Sequence, residues 1–197
     1  MMIIGLTGGI ASGKNTVAKT LAEQGALIID GDETAHHLME PQQAAWEHIV
    51  QAFGREILNP DMTINRLKLG AIVFDDNEQL EVLNRITHPL VLGSLKNQIM
   101  QIKAIQPEAV VIMDIPLLYE AHMDQLCDQV WVVWVDRHTQ IKRLIERNHF
   151  TREEAIKRID SQMSLDEKAK RADVVIDNSK NIEETIRAIT RNFKDIL

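Results

Sequence analysis

Gly8-Gly9-Ile10-Ala11-Ser12-Gly13-Lys14-Asn15-Thr16 lies between a short apolar run and a helical pattern, and it restricts the chain more than any other stretch. It reads G-x-x-x-x-G-K followed by Asn-Thr, one residue away from the phosphate-binding P-loop consensus, which has Ser or Thr directly after the lysine. Ile3, Ile4 and Leu6 form a β-type run ahead of it. Val17, Ala18, Leu21 and Ala22 recur at helical spacing behind it, and Gly25 stops that helix. Strand, glycine-rich turn and helix in this order gather backbone N–H groups and the positive end of a helix dipole around one anion. Lys14 adds a mobile charge for the outer phosphates. Ala11, Ser12, Gly13, Lys14, Asn15 and Thr16 are therefore the expected nucleotide contacts. A ligand-free strand-to-helix turn would need glycine but not a lysine at this spacing.

Beyond the loop, Ala26-Leu27-Ile28-Ile29 reads as a second buried strand ending in Asp30-Gly31-Asp32. Residues 33–88 then change texture, with helices expected over 33–40, 42–53, 65–74 and 77–86, punctuated by Pro41, Pro60 and Pro89, and no convincing strand. A further helix is expected from residue 89 to about 105, carried by Leu92, Leu95, Ile99 and Ile102 and stopped near Pro107. Val110–Asp114 and Val130–Val135 are continuously apolar and β-branched, the pattern of strands covered on both faces in a parallel sheet. Helices follow over 138–147, 151–162 and 164–171, then a fifth strand at 174–176 and a closing helix over 181–195. Strands separated by helices give a doubly wound α/β fold with a helical insertion.

Function classes narrow quickly. A net charge of −7 argues against general binding to nucleic acid or an anionic membrane, and no apolar run reaches membrane-span length. The single cysteine, Cys127, forms no internal disulfide, and the N-terminus runs straight into a strand, so a cytoplasmic protein is expected; a monomer is the expectation for its assembly, with an oligomer left open. Histidines occur without metal-ligand spacing, and there is no G-x-S-x-G elbow. Neither D-x-x-G nor N-K-x-D appears, which sets aside a switch GTPase. Phosphoryl transfer between small molecules remains.

Within that chemistry, Asp32 sits just past a strand end, where parallel sheets meet their ligands, and it or Asp30 either orients a nucleophile or caps the next helix. Asp114 ends an apolar strand in the manner of a Walker-B aspartate and is a candidate for Mg²⁺ or its water. Residues 137–171 hold 10 of the 22 Lys and Arg residues. Among them Arg143 and Arg147 share one helix face and suit a phosphate clamp, while most of the rest are expected in solvent.

Taken together, the sequence resembles the dephospho-CoA kinase family over nearly its whole length. The resemblance rests on Leu6 to Lys14, Ile29-Asp30-Gly31-Asp32, Glu40-Pro41, Arg66, His88-Pro89, Pro116-Leu117-Leu118-Tyr119-Glu120, Arg143 with Arg147, Gln162, and Ala172 to Asn178. It implies a P-loop NTPase-type three-layer fold with a five-stranded parallel sheet. Residues 1–32, 89–136 and 172–197 would form the nucleotide-binding core, 33–88 the helical substrate-binding insertion, and 137–171 the lid. The implied activity is transfer of the γ-phosphate of ATP to the ribose 3′-hydroxyl of dephospho-CoA, with Mg²⁺. Asp32 is then the orienting base, and Lys14 and the loop amides hold phosphates. Arg143 and Arg147 close from the lid. Arg66, His88 and the Pro116-Leu117-Leu118 segment contact substrate. Asn15 stands where the family has a Mg²⁺-binding Ser, His36 where it usually has Arg, and Gln42 and Ser179 where glycine is common. Two other readings stay open: a different nucleoside or nucleotide kinase, and a nucleotide-binding homologue impaired by Asn15.

Overall fold

The structure, a computed structural model, describes residues 1–73 and 76–196, and these divide into two compact units. One comprises Met1–Ile29 with Ile102–Leu197, and the other Asp30–Gln101.

The first unit is built on a five-stranded parallel sheet in the order β2-β3-β1-β4-β5. Its strands are β1 (Met2–Gly8), β2 (Leu27–Asp30, whose last residue begins the second unit), β3 (Val110–Asp114), β4 (Gln129–Trp134) and β5 (Val174–Asp177). Register puts Leu6 of β1 beside Asp114 of β3 and Gly8 beside Val133 of β4. One sheet face carries Ile4, Leu6, Val110, Ile112, Trp131, Val133 and Ile176. It packs against Val17, Ala18 and Leu21 of α1 (Lys14–Glu23) and against Ile189 and Phe193 of α9 (Ile182–Lys194). Val111, Met113 and Val132, pointing the other way, are also fully buried, so both faces are covered and the continuous apolar runs are explained. At Gly5 a Cβ would come within 2.7 Å of both Cys127 Sγ and Leu118, which leaves room only for glycine.

Three further helices, α6 (Arg137–Asn148), α7 (Arg152–Asp160) and α8 (Leu165–Arg171), lie between β4 and β5 in sequence. Ile141 and Leu144 of α6 pack on Ala155 and Ile159 of α7, and Ile10 and Ala11 of the P-loop join that cluster. Each of the three helices has a side-chain N-cap, from Asp136, Thr151 and Ser164.

In the second unit, α2 (Gly31–Leu38), α3 (Ala44–Phe53), α4 (Arg66–Val73) and most of α5 (Asn77–Ile105) surround a separate core. Its centre is Ala45, Ile49, Phe53, Ile57, Leu69 and Val73. Residue 74, the last of the helix expected over 65–74, lies outside the described residues, as does residue 197 of the expected core segment. A single Leu58–Ile64 bridge closes the turn between α3 and α4. One expectation is corrected here: the helices read separately over 77–86 and 89–105 are one, with Pro89 inside it. An interior proline costs about 3 kcal/mol in a helix. Packing outweighs that cost, because Leu80, Leu83, Ile86 and Leu90 pack on the apolar core while Val91 and Leu95 are buried further along the same helix.

Candidate active site

The P-loop follows β1 directly. Gly13, the N-cap of α1, takes φ +89°, and its hypothetical Cβ would lie 2.1 Å from the Asn178 side-chain nitrogen. Both backbone conformation and space therefore demand glycine there. Whereas α2, α6, α7, α8 and α9 are capped by side chains, α1 has neither a side-chain cap nor an acidic residue in its first turn. Its positive end is left for an anion to complement.

The loop is held from behind at several points. Ile10 donates its N–H to Gln162 (3.0 Å) and accepts at its carbonyl from the Gln140 amide (2.8 Å). The Asn178 amide donates to the Ser12 carbonyl (2.8 Å) while its oxygen accepts from the Thr185 hydroxyl (3.0 Å). Three side-chain amides thus hold the loop backbone, and that of Asn178 is partnered at both its nitrogen and its oxygen.

Lys14, the first residue of α1, reaches across to the end of β3 and pairs with Asp114, so the P-loop lysine and the Walker-B-like candidate meet at one place. Asp114 is buried, and Asn15 is exposed in the first turn of α1. A buried carboxylate and an amide oxygen are hard donors of the kind Mg²⁺ takes. Among the described residues no cluster of three or more His, Cys, Asp or Glu side chains could cage a metal.

Outside the loop a cavity of about 580 Å³ is lined by Ala11, Gly13, Thr16, Arg143, Arg147 and Asn178, with Glu146, Lys180 and Ile182. Both arginines of the expected clamp thus border the same space as the loop. Arg143 donates to the Asn178 carbonyl at 2.9 Å, and Arg147 to the Asn148 side chain at 2.8 Å.

Lys168, one of the basic residues of 137–171 of which most are expected in solvent, is fully buried. Its ammonium pairs with Glu120 (3.0 Å) and donates to the Pro116 carbonyl (2.7 Å). Burial lowers its pKa from the ordinary lysine value, against the opposing effect of Glu120. A signal existed: Lys168 follows Leu165 by three residues, on the buried side of α8. Pro116, which also accepts from Thr7 (2.8 Å), belongs to this cluster. Leu117 is partly exposed, and Leu118 is fully buried against the Gly5 position of β1.

In the second unit a cavity of about 520 Å³ gathers Asp32, His36, Arg66 and Glu40 above an apolar lining of Met39, Ile64, Leu69, Val73 and Leu83. Of the acidic pair at the end of β2, one residue is the helix cap. Asp30 is the N-cap of α2 and accepts from the Glu33 N–H (2.9 Å), whereas Asp32 lies in the first turn and lines the cavity. Arg66 hydrogen-bonds the His36 Nδ1. His88 lies half-buried in α5, next to Pro89 and outside the set lining this cavity.

Comparison with known proteins agrees with this architecture. The dephospho-CoA kinase (CoaE) family model matches residues 2–184. A dephospho-CoA kinase from Carboxydothermus hydrogenoformans is 51% identical over 183 residues, covering 93% of this chain and 88% of its own. The crystal structure of TT1252 from Thermus thermophilus superposes with a TM-score of 0.84 at 30% identity, covering 100% of this chain and 98% of its own. A dephospho-CoA kinase from Campylobacter jejuni gives a TM-score of 0.74 at 28% identity, covering 98% of this chain and 96% of its own. The chain belongs to the dephospho-CoA kinase family.

Proposed function

We propose that the chain passes the γ-phosphate of ATP to the ribose 3′-hydroxyl of dephospho-CoA, yielding ADP and CoA, with Asp32 as the orienting base. The observation that carries this assignment is the second unit's cavity, where a carboxylate and a guanidinium stand above an apolar lining. That chemistry suits an acceptor with anionic phosphates and a long, weakly polar arm. In the reaction the 3′-oxygen forms a bond to the γ-phosphorus, the bond from that phosphorus to the β,γ-bridging oxygen breaks, and Asp32 accepts the hydroxyl proton.

Lys14 and the amides at the start of α1 bind the donor phosphates, so Lys14 exchanges its Asp114 partner for phosphate oxygens. Arg143 and Arg147 contribute further positive charge to the transferring group. Asp114 and Asn15 would hold Mg²⁺ or its waters, and the ion supplies neutralisation of the β- and γ-phosphate oxygens. Arg66, with His36 beside it, binds an anionic group of the acceptor.

The test is to incubate the protein with ATP, Mg²⁺ and dephospho-CoA and follow the products by mass-resolved chromatography. ADP and CoA should appear one for one, and Asp32→Asn should lower kcat by roughly 10²-fold or more while ATP still binds. ADP without CoA would show that the acceptor is a different molecule. Tight binding of both ligands without turnover would refute the kinase reading.

A further inference from the structure

We propose that Lys168 is a positioning residue for phosphoryl transfer, fixing the end of β1 and the loop after β3 so that the P-loop and Asp114 keep one spacing. The inference rests on the kinase reading for its effect on rate, but its geometry does not.

Lys168 has no exposed surface, and its ammonium has three acceptors. These are Glu120 Oε1 at 3.0 Å, the Pro116 carbonyl at 2.7 Å and, at the longer limit of 3.5 Å, the Gly8 carbonyl. Gly8 is the last residue of β1 and the first glycine of the P-loop. Pro116 stands two residues beyond Asp114, the last residue of β3. One side chain therefore ties the end of β1, which leads into the P-loop, to the segment that follows Asp114 at the end of β3.

Glu120 extends the tie, because it also accepts the Met163 N–H at 3.0 Å. Met163 follows Gln162, the residue that holds Ile10 of the loop. Strand ends, loop and the segment leading into α8 thus share one connected set of bonds.

Three acceptors call for three N–H donors in a tetrahedral arrangement, which among side chains only an ammonium supplies. A purely stabilising role would be met more cheaply by an apolar residue, since desolvating a lysine is unfavourable unless something specific is gained. Burial and, to a lesser degree, Lys14 disfavour the ammonium, and Glu120 at 3.0 Å is the group that favours it. The buried charge is retained beside a site where a displacement of about 1 Å costs roughly 10²-fold in rate.

The experiment compares the wild type with Lys168→Met/Glu120→Gln, which removes the tie without leaving a lone buried charge, and with Lys168→Arg, which keeps charge and donors. Thermal denaturation checks folding. Two readouts follow: kcat with KM for dephospho-CoA, and the ³¹P shift of the β-phosphate of bound ADP, which reports loop geometry without any acceptor. The double variant should lose roughly 10²-fold in kcat with KM for dephospho-CoA within about twofold, and the ³¹P signal should move. Lys168→Arg should fall between the two, because a planar, larger guanidinium keeps the charge but cannot occupy the fully buried place of a compact ammonium in the same way. A folded double variant with wild-type kcat, or with an unmoved ³¹P signal, overturns the proposal. So does a wild-type value of both in Lys168→Arg, which decides the matter if the double variant does not fold. An inactive wild type would refute the kinase reading instead, and the ³¹P comparison would still judge the tie.

Discussion

Lys14 of the P-loop is ion-paired with Asp114 at the end of β3, and both side chains are almost withdrawn from solvent, at 12% and 7% exposure. The lysine proposed to bind phosphate is therefore held by the carboxylate proposed to serve the metal. On that proposal, each partner occupies the other until nucleotide and Mg²⁺ arrive. Asp114→Asn should break this reciprocity. Metal-free ATP should bind at least as tightly as in the wild type, because Lys14 is released. Mg²⁺-dependent turnover should fall by roughly 10²-fold, the scale on which removing one charge-stabilising group acts. Calorimetry with and without Mg²⁺, beside steady-state rates, checks both halves. Weaker metal-free binding would mean that Asp114 positions Lys14 instead of competing for it.

A second consequence concerns Asn15, exposed in the first turn of α1 where the P-loop consensus has a hydroxyl. Its amide oxygen is a legitimate Mg²⁺ donor but sits farther from the backbone than a serine oxygen. Asn15→Ser should lower the Mg²⁺ concentration needed for half-maximal turnover several-fold while leaving ATP binding without metal unchanged. An identical Mg²⁺ dependence in the two proteins would show that this side chain has no part in holding the ion.

Gln42 offers a stability test. It takes φ +71°, and the Gln43 N–H donates to the Glu40 carbonyl at 3.0 Å across Pro41 and Gln42. Proline at the second position and a positive φ at the third define a type II turn, which favours glycine at that third position. A left-handed conformation costs a side-chain-bearing residue about 1–2 kcal/mol, part of which glycine returns through its freer unfolded state. Gln42→Gly should therefore stabilise the protein by about 0.5–1 kcal/mol in urea denaturation. A loss of stability would indicate that the Gln42 side chain makes a compensating contact.

Much of this was legible before any coordinates. The strands, the P-loop and the succession of helices follow from local patterns, because each records which faces are buried. Gln42, expected as the first residue of a helix, instead takes a positive φ in a turn ahead of α3, and the glycine common at that position in the family marks the strain. The expected turn glycine at Ser179 proved different, since the serine hydroxyl accepts the Asp136 N–H at 3.1 Å and ties β5 to the start of α6. Pro89 misled because helix-breaking is a local cost, whereas the packing of Leu83, Ile86 and Leu90 is a tertiary gain. Lys168 was hidden for a related reason: a charged residue in a charge-rich stretch looks solvated, and its carbonyl acceptors lie 52 and 160 residues away in the chain. Separating Asp30 from Asp32 likewise needed the exact start of α2, which helical periodicity does not fix.

Cys127 supplies a last test, independent of catalysis. It follows a short turn at Asp124–Leu126, and its sulfur lies against the Gly5 position of β1. Burial foremost, then the carboxylates of Asp124 and Asp128, push its thiol up to about 12. At pH 8 the reactive thiolate is then rarer than in a free cysteine, so iodoacetamide should label the native protein roughly 10³-fold more slowly than the urea-unfolded chain. The same shift makes a prediction for stability. Above the ordinary thiol pKa the unfolded chain has lost this proton while the folded one still holds it, so unfolding releases a proton and stability declines as pH rises from about 9 toward 12. Tyr119, raised from 10.0 to about 12 chiefly by burial, adds to that decline above pH 10. Cys127→Ala should flatten the first part of the slope, between about pH 9 and 10, and leave the tyrosine's part in place. Equal slopes in the two proteins, or rapid native labelling, would show that the thiol is open to solvent.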